Sequence, residues 1–311
     1  MTTLVAVVVG AVVGGAGWWA LAPLLRSPVL LRENHRGVQV PTAGGLVLVM
    51  ACLPAALVGL VVTFRRPAFG HLWTRQATAV AVLGLGLGLL GFVDDALGGG
   101  ESGGFRRHLG ALRHGRLTSG LLKLVGGAAV SVIAVVLAPA AVTGPRSGFY
   151  APNIGGFFAY DPYPSTPLSG PSLGRLLLDA ALVALAANLG NLLDRAPGRT
   201  TKVGLLAAAV LLPVAVILGR PVPAVALVVG AAAAMLVPDL GERVMLGDTG
   251  ANVLGGVLGL GAVHVLPGAG RSIAAAVLLA LNLASEAVSF SRVIERVPPL
   301  RWADRVGRRR A

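Results

Sequence analysis

Long apolar runs with almost no charged residues constrain the fold of this chain more than any other feature. About 20 consecutive apolar residues are enough to cross a bilayer as an α-helix. Apolar residues make up 55% of the chain and charged residues only 13%, whereas a typical soluble domain carries about 25% charged residues. The sequence therefore predicts an all-α polytopic membrane helix bundle. About nine spans are expected, at residues 3–25, 42–63, 77–93, 119–140, 174–193, 203–218, 222–237, 251–266 and 272–290.

The first run shows no charged leader and no typical cleavage site, so we interpret it as a retained helix and not as a signal peptide. No second domain is visible, and residues 1–311 are expected to form a single membrane-embedded domain. Within it, residues 141–173 are predicted to be an extracytoplasmic loop. Residues 291–311 are predicted to be a basic cytoplasmic tail that lies on the membrane surface.

The formal net charge of +13 comes from Lys and Arg residues that cluster between the apolar runs. An outside N-terminus and a cytoplasmic C-terminus place 19 of the 26 Lys and Arg residues on the cytoplasmic side, as the positive-inside rule expects. This distribution favours contact with anionic lipid headgroups in the bilayer over nucleic acid. The high content of Ala, Gly, Val and Arg is typical of a GC-rich bacterial genome. A multi-pass protein of a bacterial cell membrane is therefore expected.

Two adjacent carboxylates, Asp94 and Asp95, close the third apolar run, and no other two of the 13 acidic residues are neighbours in sequence. Two carboxylates at a helix C-terminus repel each other and the helix dipole, so a cation is expected beside them. Three further polar segments reach the same predicted face of the membrane. They are residues 34–45 with Asn34, Arg36 and Thr42, residues 188–194 with Asn188, Asn191 and Asp194, and residues 247–252 with Asp248.

Polar groups at one level of a membrane protein indicate a shared functional site. Asn188, Asn191 and Asp194 recur every three residues, so on a helix they project from much the same side. Asp248 lies between two glycines, which allow a ligand to approach the backbone closely. Mg²⁺ prefers oxygen ligands and is commonly held by carboxylates together with substrate phosphates. The expected oxygen ligands are Asp94, Asp95, Asn191 and Asp248, and the expected phosphate-binding residues are Arg36, Lys123, Arg199 and the Arg106-Arg107-His108 segment.

Four short motifs occur in order: Val-Pro-Thr-Ala-Gly-Gly at 40–45, Gly-Phe-Val-Asp-Asp at 91–95, Asn-x-x-Asn-x-x-Asp at 188–194 and Leu-Gly-Asp-Thr-Gly-Ala at 246–251. Together they resemble the polyprenyl-phosphate N-acetylhexosamine-1-phosphate transferases. That superfamily includes phospho-N-acetylmuramoyl-pentapeptide transferase and the undecaprenyl-phosphate N-acetylglucosaminyl-1-phosphate transferases. The resemblance covers residues 30 to 256 and implies a cytoplasmic-side cleft that transfers a sugar phosphate from a UDP-sugar to an undecaprenyl or decaprenyl phosphate in cell-envelope glycan synthesis.

The resemblance also implies roles for individual residues. Mg²⁺, or Mn²⁺ in its place, is expected on Asp248 and Asn191, with Asp95 helping to hold the metal or its water. Asp94, Asp95 and Asp248 form the expected catalytic set. The substrates are expected to contact Asn34, Arg36, Thr42, Lys123, Asn188, Asn191, Asp194 and Arg199. A homodimer is also expected by this resemblance.

Two departures from the family pattern set this chain apart. After Asp194 the family usually continues with Gly, whereas this chain has Arg195-Ala196-Pro197-Gly198-Arg199. The His-rich loop of the pentapeptide enzyme is replaced by Ser289–Arg296, which argues against that enzyme in particular. Two other classes stay open, an ion-coupled transporter that uses the carboxylates and a non-catalytic relative of the transferases.

Several single-residue alternatives also stay open. Lys123 could extend to the interface without binding phosphate. Asn188 and Asn191 could join helices by hydrogen bonds, and Asp248 could belong to an ordinary turn.

Overall fold

The computed structural model describes residues 2–34, 37–65, 67–97, 119–140 and 171–308, and within them it is dominated by α-helices. These described ranges contain eleven α-helices, so the predicted all-α class is confirmed. The helices are α1 (Thr2–Leu25), α2 (Leu46–Arg65), α3 (Pro67–Leu97), α4 (Ser119–Leu137), α5 (Leu173–Leu193), α6 (Arg199–Ile217), α7 (Pro223–Leu240), α8 (Gly247–Val265), α9 (Gly268–Ala287), α10 (Phe290–Arg296) and α11 (Pro298–Arg305).

Seven helices in the described ranges are long and apolar enough to cross a membrane, which makes this a multi-pass membrane protein by length and composition. They correspond to seven of the nine predicted spans. The other two predicted spans form α2, whose apolar stretch Leu46–Leu57 is shorter, and α8. Helix α8 is largely buried in the bundle and carries Asp248 and Asn252.

Helices α7 and α8 form the centre of the bundle. Helix α8 packs against α3 and α5, and α7 packs most extensively against α1. The crossing of α1 and α7 depends on Gly10 and Gly230, because a Cβ on either residue would overlap backbone atoms of the other helix. Small residues let membrane helices approach closely enough for extensive van der Waals contact. Helices α1 and α9 are largely exposed, as expected of surfaces that face lipid.

A short antiparallel hairpin follows α1 and was not predicted. Its strands are β1 (Leu31–Glu33) and β2 (Gln39–Pro41), with Arg32 opposite Val40. The Arg32 guanidinium donates to the carbonyl oxygens of Asp95 (3.1 Å) and Ala96 (3.0 Å) in the last turn of α3. These carbonyls have no partner within the helix, and a cation also offsets the negative end of the helix dipole. Arg32 therefore supplies part of the positive charge that the adjacent aspartates require.

Some expectations fall on residues outside the described ranges. Among them are most of the predicted extracytoplasmic loop, residues 141–170, the basic segment Arg106-Arg107-His108, and Arg36. The predicted basic tail forms α10 and α11, and α11 presents Trp302 and Leu300 at its surface beside Arg301 and Arg305.

Candidate functional site

Four helices bring one polar group each to the same end of the bundle. The groups are Asp94 on α3, Lys123 on α4, Asn191 on α5 and Asp248 on α8, and we call this region the acidic end. The Lys123 ammonium donates to Asp94 Oδ2 (3.0 Å) and to Asp248 Oδ2. The side chains of Lys123, Asp94 and Asp248 are 18%, 24% and 23% exposed, so the cluster is shielded but still reachable.

Asn191 joins the cluster through both ends of its amide. With the nitrogen facing Asp248 and the oxygen facing Lys123, Asn191 donates to Asp248 Oδ1 and accepts from Lys123 Nζ (3.3 Å). This orientation is assigned from hydrogen-bond chemistry, because the opposite one would place like groups together. Three oxygen-bearing side chains thus surround a single cation. The structure brings Asp94, Asn191 and Asp248 together, as the sequence predicted, and adds Lys123 between them.

Asp95 faces a different partner from its neighbour Asp94. Its carboxylate accepts from the backbone N–H groups of Asp248 (3.0 Å) and Thr249 (2.9 Å) and from the Thr249 hydroxyl (2.6 Å). These N–H groups lie in the first turn of α8, where no intrahelical acceptor exists and a negative charge is stabilised by the helix dipole. Asp95 therefore fixes the start of α8 and with it Asp248. This contact favours a positioning role for Asp95 over the predicted role as a metal ligand.

Gly247 permits the sharp entry into α8. Its φ of +70° is in the left-handed region, which glycine adopts without strain. A Cβ here would overlap the Thr42 carbonyl oxygen and the Asp95 carboxylate. The closeness of Asp95 to the α8 backbone thus depends on the glycine before Asp248.

The first motif builds the backbone beside the cluster. Met245 N–H donates to the Pro41 carbonyl (2.7 Å), and Gly44 and Gly45 N–H donate to the carbonyls of Met245 (3.0 Å) and Leu246 (2.8 Å). Thr42, predicted to contact substrate, is buried, and its hydroxyl donates to the Leu30 carbonyl (3.1 Å). Thr42 therefore has a partner within the protein, and its contact with substrate stays a prediction.

Asn34 and Asn188 also have partners within the protein. Asn34 Nδ2 donates to Glu242 Oε2 (2.6 Å) and so connects the hairpin to the segment before α8. Asn188 Nδ2 donates to Asn282 Oδ1 on α9 (2.6 Å), which is the helix-joining alternative considered for this residue. Arg36 lies outside the described residues.

Asp194 ends α5 close to the cluster. Burial raises the pKa of its carboxyl to about 8, and the nearby carboxylates of Asp239, Asp248 and Asp95 act in the same direction. A hydrogen bond with Thr200 acts in the opposite direction. A carboxyl with this pKa is mostly protonated at neutral pH and can donate a hydrogen bond.

Arg199, predicted to bind phosphate, is 5% exposed and holds the C-terminal tail. It donates to both carboxylate oxygens of Asp304 (2.8 and 3.1 Å) and to Ser291 (2.9 Å). Lys202 reinforces this docking through the carbonyls of Ala303 (2.9 Å) and Asp304. Arg199 thus makes structural contacts, within the segment where the third motif departs from the family pattern. Its contact with phosphate stays a prediction.

Sequence reasoning missed several residues that complete the site. Asn252 donates to the Asp248 carbonyl (2.7 Å), and Thr201 donates to buried Asp239 (2.9 Å). The Thr249 hydroxyl donates to the Asp95 carboxylate, and the Arg32 guanidinium donates to the Asp95 carbonyl at the end of α3. The sequence signal for Asn252 and Thr249 was available, since both lie in the polar segment 247–252 that contains Asp248.

The oxygens around Lys123 fit the donor chemistry of a divalent cation. Carboxylate and amide oxygens of Asp94, Asp248 and Asn191 converge on one positive group, and hard cations select such ligands. Within the described part of the chain, however, no three His, Cys, Asp or Glu side chains form a group that could hold a metal ion. Any metal shell here therefore requires the Asn191 amide and substrate oxygens in addition to the two aspartates.

No family model and no curated protein matches this chain. The resemblance to the sugar-phosphate transferases rests on the four motifs and on the proximity of their polar residues.

Proposed function

We propose that this protein transfers an N-acetylhexosamine-1-phosphate from a UDP-sugar to a membrane polyprenyl phosphate. An oxygen of the lipid phosphate forms a bond to the β-phosphorus, and the bond from that phosphorus to the oxygen bridging the α-phosphate breaks. UMP leaves with the bridging oxygen and its electron pair. The product is a polyprenyl diphosphate sugar in the bilayer.

One observation carries this proposal, the convergence of Asp94, Lys123, Asn191 and Asp248 from four helices at the acidic end. Such a combination of hard oxygen donors and a positively charged ammonium group suits a diphosphate substrate. In phosphoryl transfer the protein contributes mainly positioning and electrostatic stabilisation. The position at helix ends also suits a reaction between a soluble nucleotide and a lipid phosphate at the membrane surface.

Each side chain of the cluster has its own role in this proposal. Asp94, Asp248 and Asn191 would hold Mg²⁺, which neutralises diphosphate charge when bound. Lys123 reaches the same point and is available to contact a phosphate oxygen. Asp94 orients the lipid phosphate and need not remove a proton, since that phosphate is already largely ionised at neutral pH. Asp95 holds the start of α8 in place.

The competing class is an ion-coupled transporter. Transporters of this kind bind their ions near the bilayer midplane. Here the carboxylates lie in the last turn of α3 and the first turn of α8, about a full helix length from the far side of the membrane. This position favours the transferase.

The test is release of UMP by purified full-length protein from UDP-N-acetylhexosamines, a polyprenyl phosphate and Mg²⁺. We expect UMP release that stops when the divalent cation is chelated and returns when Mg²⁺ is added. Asp248→Asn and Lys123→Met should each lower kcat at least a hundredfold. Glu295→Gln, an exposed carboxylate on α10, is the matched control and should keep wild-type activity.

Absence of UMP with every UDP-hexosamine would contradict the proposal. Cation-dependent solute uptake into liposomes by the same preparation would then favour the transporter, and absence of both would favour a non-catalytic relative.

A further inference from the structure

The end of the bundle opposite the acidic end gathers positive charge. Arg175 lies in the first turn of α5, Arg271 lies in the first turn of α9, and Arg220 follows α6. We call this region the arginine end. Helix α5 runs from Arg175 here to Asn191 at the acidic end, a rise of about 24 Å. The two sites are therefore on opposite sides of the membrane.

The arginine end contains one described carboxylate among three described guanidinium groups. Arg271 is paired with Asp179 through Nη1, and Arg175 Nε approaches Asp179 Oδ1 at 3.3 Å. Arg220 donates to the Val265 carbonyl at the end of α8 (2.9 Å). The described groups thus carry a formal charge of +2, which is unusual for a region where Arg271 and Asp179 are 7% and 2% exposed.

Several guanidinium donors make no hydrogen bond with the described residues. Arg175 Nε and Nη2 and Arg271 Nε are buried and make no hydrogen bond, and Asp179 Oδ1 also has none. A small rotation of Arg175 would pair its Nε with Asp179 Oδ1. Arg175 Nη2 and Arg271 Nε would still lack acceptors, and Arg175 Nη1 already donates to Ser272 (3.3 Å). The Arg271 side chain is only 8% exposed, so bulk solvent does not satisfy it.

We infer that the arginine end binds a phosphoryl group, with Arg175 and Arg271 as its principal ligands. The planar guanidinium matches the spacing of phosphate oxygens better than any other side chain. The N-termini of α5 and α9 add the partial positive charge of two long helices. Buried water could satisfy the free donors, but it would not neutralise the +2 charge of the described groups. An anion does both.

The depth of the site admits two sources of phosphate. Arg175 lies two residues into α5 and Asp179 six residues into it, roughly 3 and 9 Å along the axis. This range matches the headgroup layer at the edge of the hydrocarbon core. A phospholipid headgroup in the adjacent leaflet and a free phosphate in solution can therefore both reach the arginines.

The experiment compares full-length wild type with Arg175→Gln and Arg75→Gln in detergent. Arg75 is an exposed arginine near the start of α3, toward the same side of the membrane, and is the matched control. In the first arm, inorganic phosphate is compared with sodium chloride at equal ionic strength. We expect phosphate to raise the Tm of wild type and of Arg75→Gln by about 2 to 4 °C at concentrations well above its Kd. Arg175→Gln should lose this rise.

In the second arm, native mass spectrometry counts lipids retained after exchange into phosphatidylglycerol or phosphatidylcholine. Selective retention of one phosphatidylglycerol, reduced at least tenfold in Arg175→Gln, identifies a lipid headgroup as the ligand. A Tm rise with phosphate and no retained lipid identifies free phosphate.

Failure of wild type in both arms overturns the inference. Equal effects of Arg175→Gln and Arg75→Gln also overturn it, because then no specific site exists. If Arg175→Gln does not fold, Arg175→Lys replaces it. Arg175→Lys keeps the positive charge but loses the two parallel N–H donors of the guanidinium, so it should bind phosphate about tenfold more weakly. Binding as tight as that of wild type would count against the site.

Discussion

Asp95→Asn tests whether the second of the adjacent aspartates acts by fixing α8. In wild type the carboxylate accepts from two backbone N–H groups and one hydroxyl. Asparagine keeps one acceptor oxygen, loses the negative charge and turns an NH₂ group toward N–H donors. A hydrogen bond to a charged group contributes about 1.5–3 kcal/mol, and a charge at a helix N-terminus adds about 0.3–1 kcal/mol. We expect a loss of about 2–3 kcal/mol in the free energy of unfolding.

The assay is thermal unfolding of purified protein, with UMP release measured on the same samples. A loss of this size lowers Tm by about 4–6 °C in a chain of this length. Activity should fall as well, because Asp248 lies in the turn that Asp95 holds. Addition of more Mg²⁺ should not restore it.

Asp94→Asn is the matched control, one residue away on the same helix. Asp94 contacts Lys123 (3.0 Å) in a partly exposed position, and such pairs contribute about 0–1 kcal/mol. Its Tm should change by less than about 2 °C while activity falls. An unchanged Tm for Asp95→Asn, or an equal loss in Asp94→Asn, would refute the assignment of Asp95 as the cap of α8.

Three further predictions concern the tail and the entry to α8. Arg199→Gln and Asp304→Asn should each release α11, since breaking a buried ion pair is destabilising by about 3–5 kcal/mol. A nitroxide label on Arg301→Cys should become mobile in both variants. An unchanged spectrum would contradict the docking of α11. Burial disfavours the Asp304 carboxylate, but the hydrogen bonds and charge of Arg199 outweigh this and lower its pKa. The docking of α11 should therefore persist at neutral pH and be lost as pH falls below about 4. The same nitroxide label measures this, and release of α11 already at pH 6 would contradict the prediction. Gly247→Ala should prevent folding or lower Tm by more than about 6 °C. A positive φ costs alanine about 1–2 kcal/mol, and the new Cβ overlaps Thr42 and Asp95. The control is Gly15→Ala, which has open space around it and should be tolerated.

The membrane helices could be predicted from sequence because each apolar run carries its own signal. Burial in lipid requires every backbone group in a run to be paired internally, so an apolar run of this length specifies a helix without reference to the rest of the chain. The convergence of Asp94, Asn191 and Asp248 was also predictable. All three lie at helix ends, and the topology assigns those ends to one face.

The partners of individual polar groups could not be predicted. Asp94 and Asp95 are neighbours, yet a helix turns about 100° per residue, so one reaches Lys123 and the other reaches α8. Arg199 was equally suited by sequence to phosphate and to a carboxylate. Arg199 pairs with Asp304, which is more than 100 residues away in the sequence, and no local sequence pattern predicts such a contact. The hairpin was missed because each strand has only three residues.

The hydrogen bonds of Arg32 have a consequence for how the acidic end responds to its surroundings. Through Arg32 and Asp95 the hairpin, the end of α3 and the start of α8 are joined by polar contacts and not by lipid-facing packing. Membrane helices adjust to thicker or thinner bilayers mainly by tilting. A polar junction at one end acts as a fixed pivot for such tilting, and most of the displacement then occurs at the opposite end. The distances among Asp94, Lys123 and Asp248 should therefore stay constant across lipids of different chain length, and the arginine end should be the part of the molecule that senses membrane thickness.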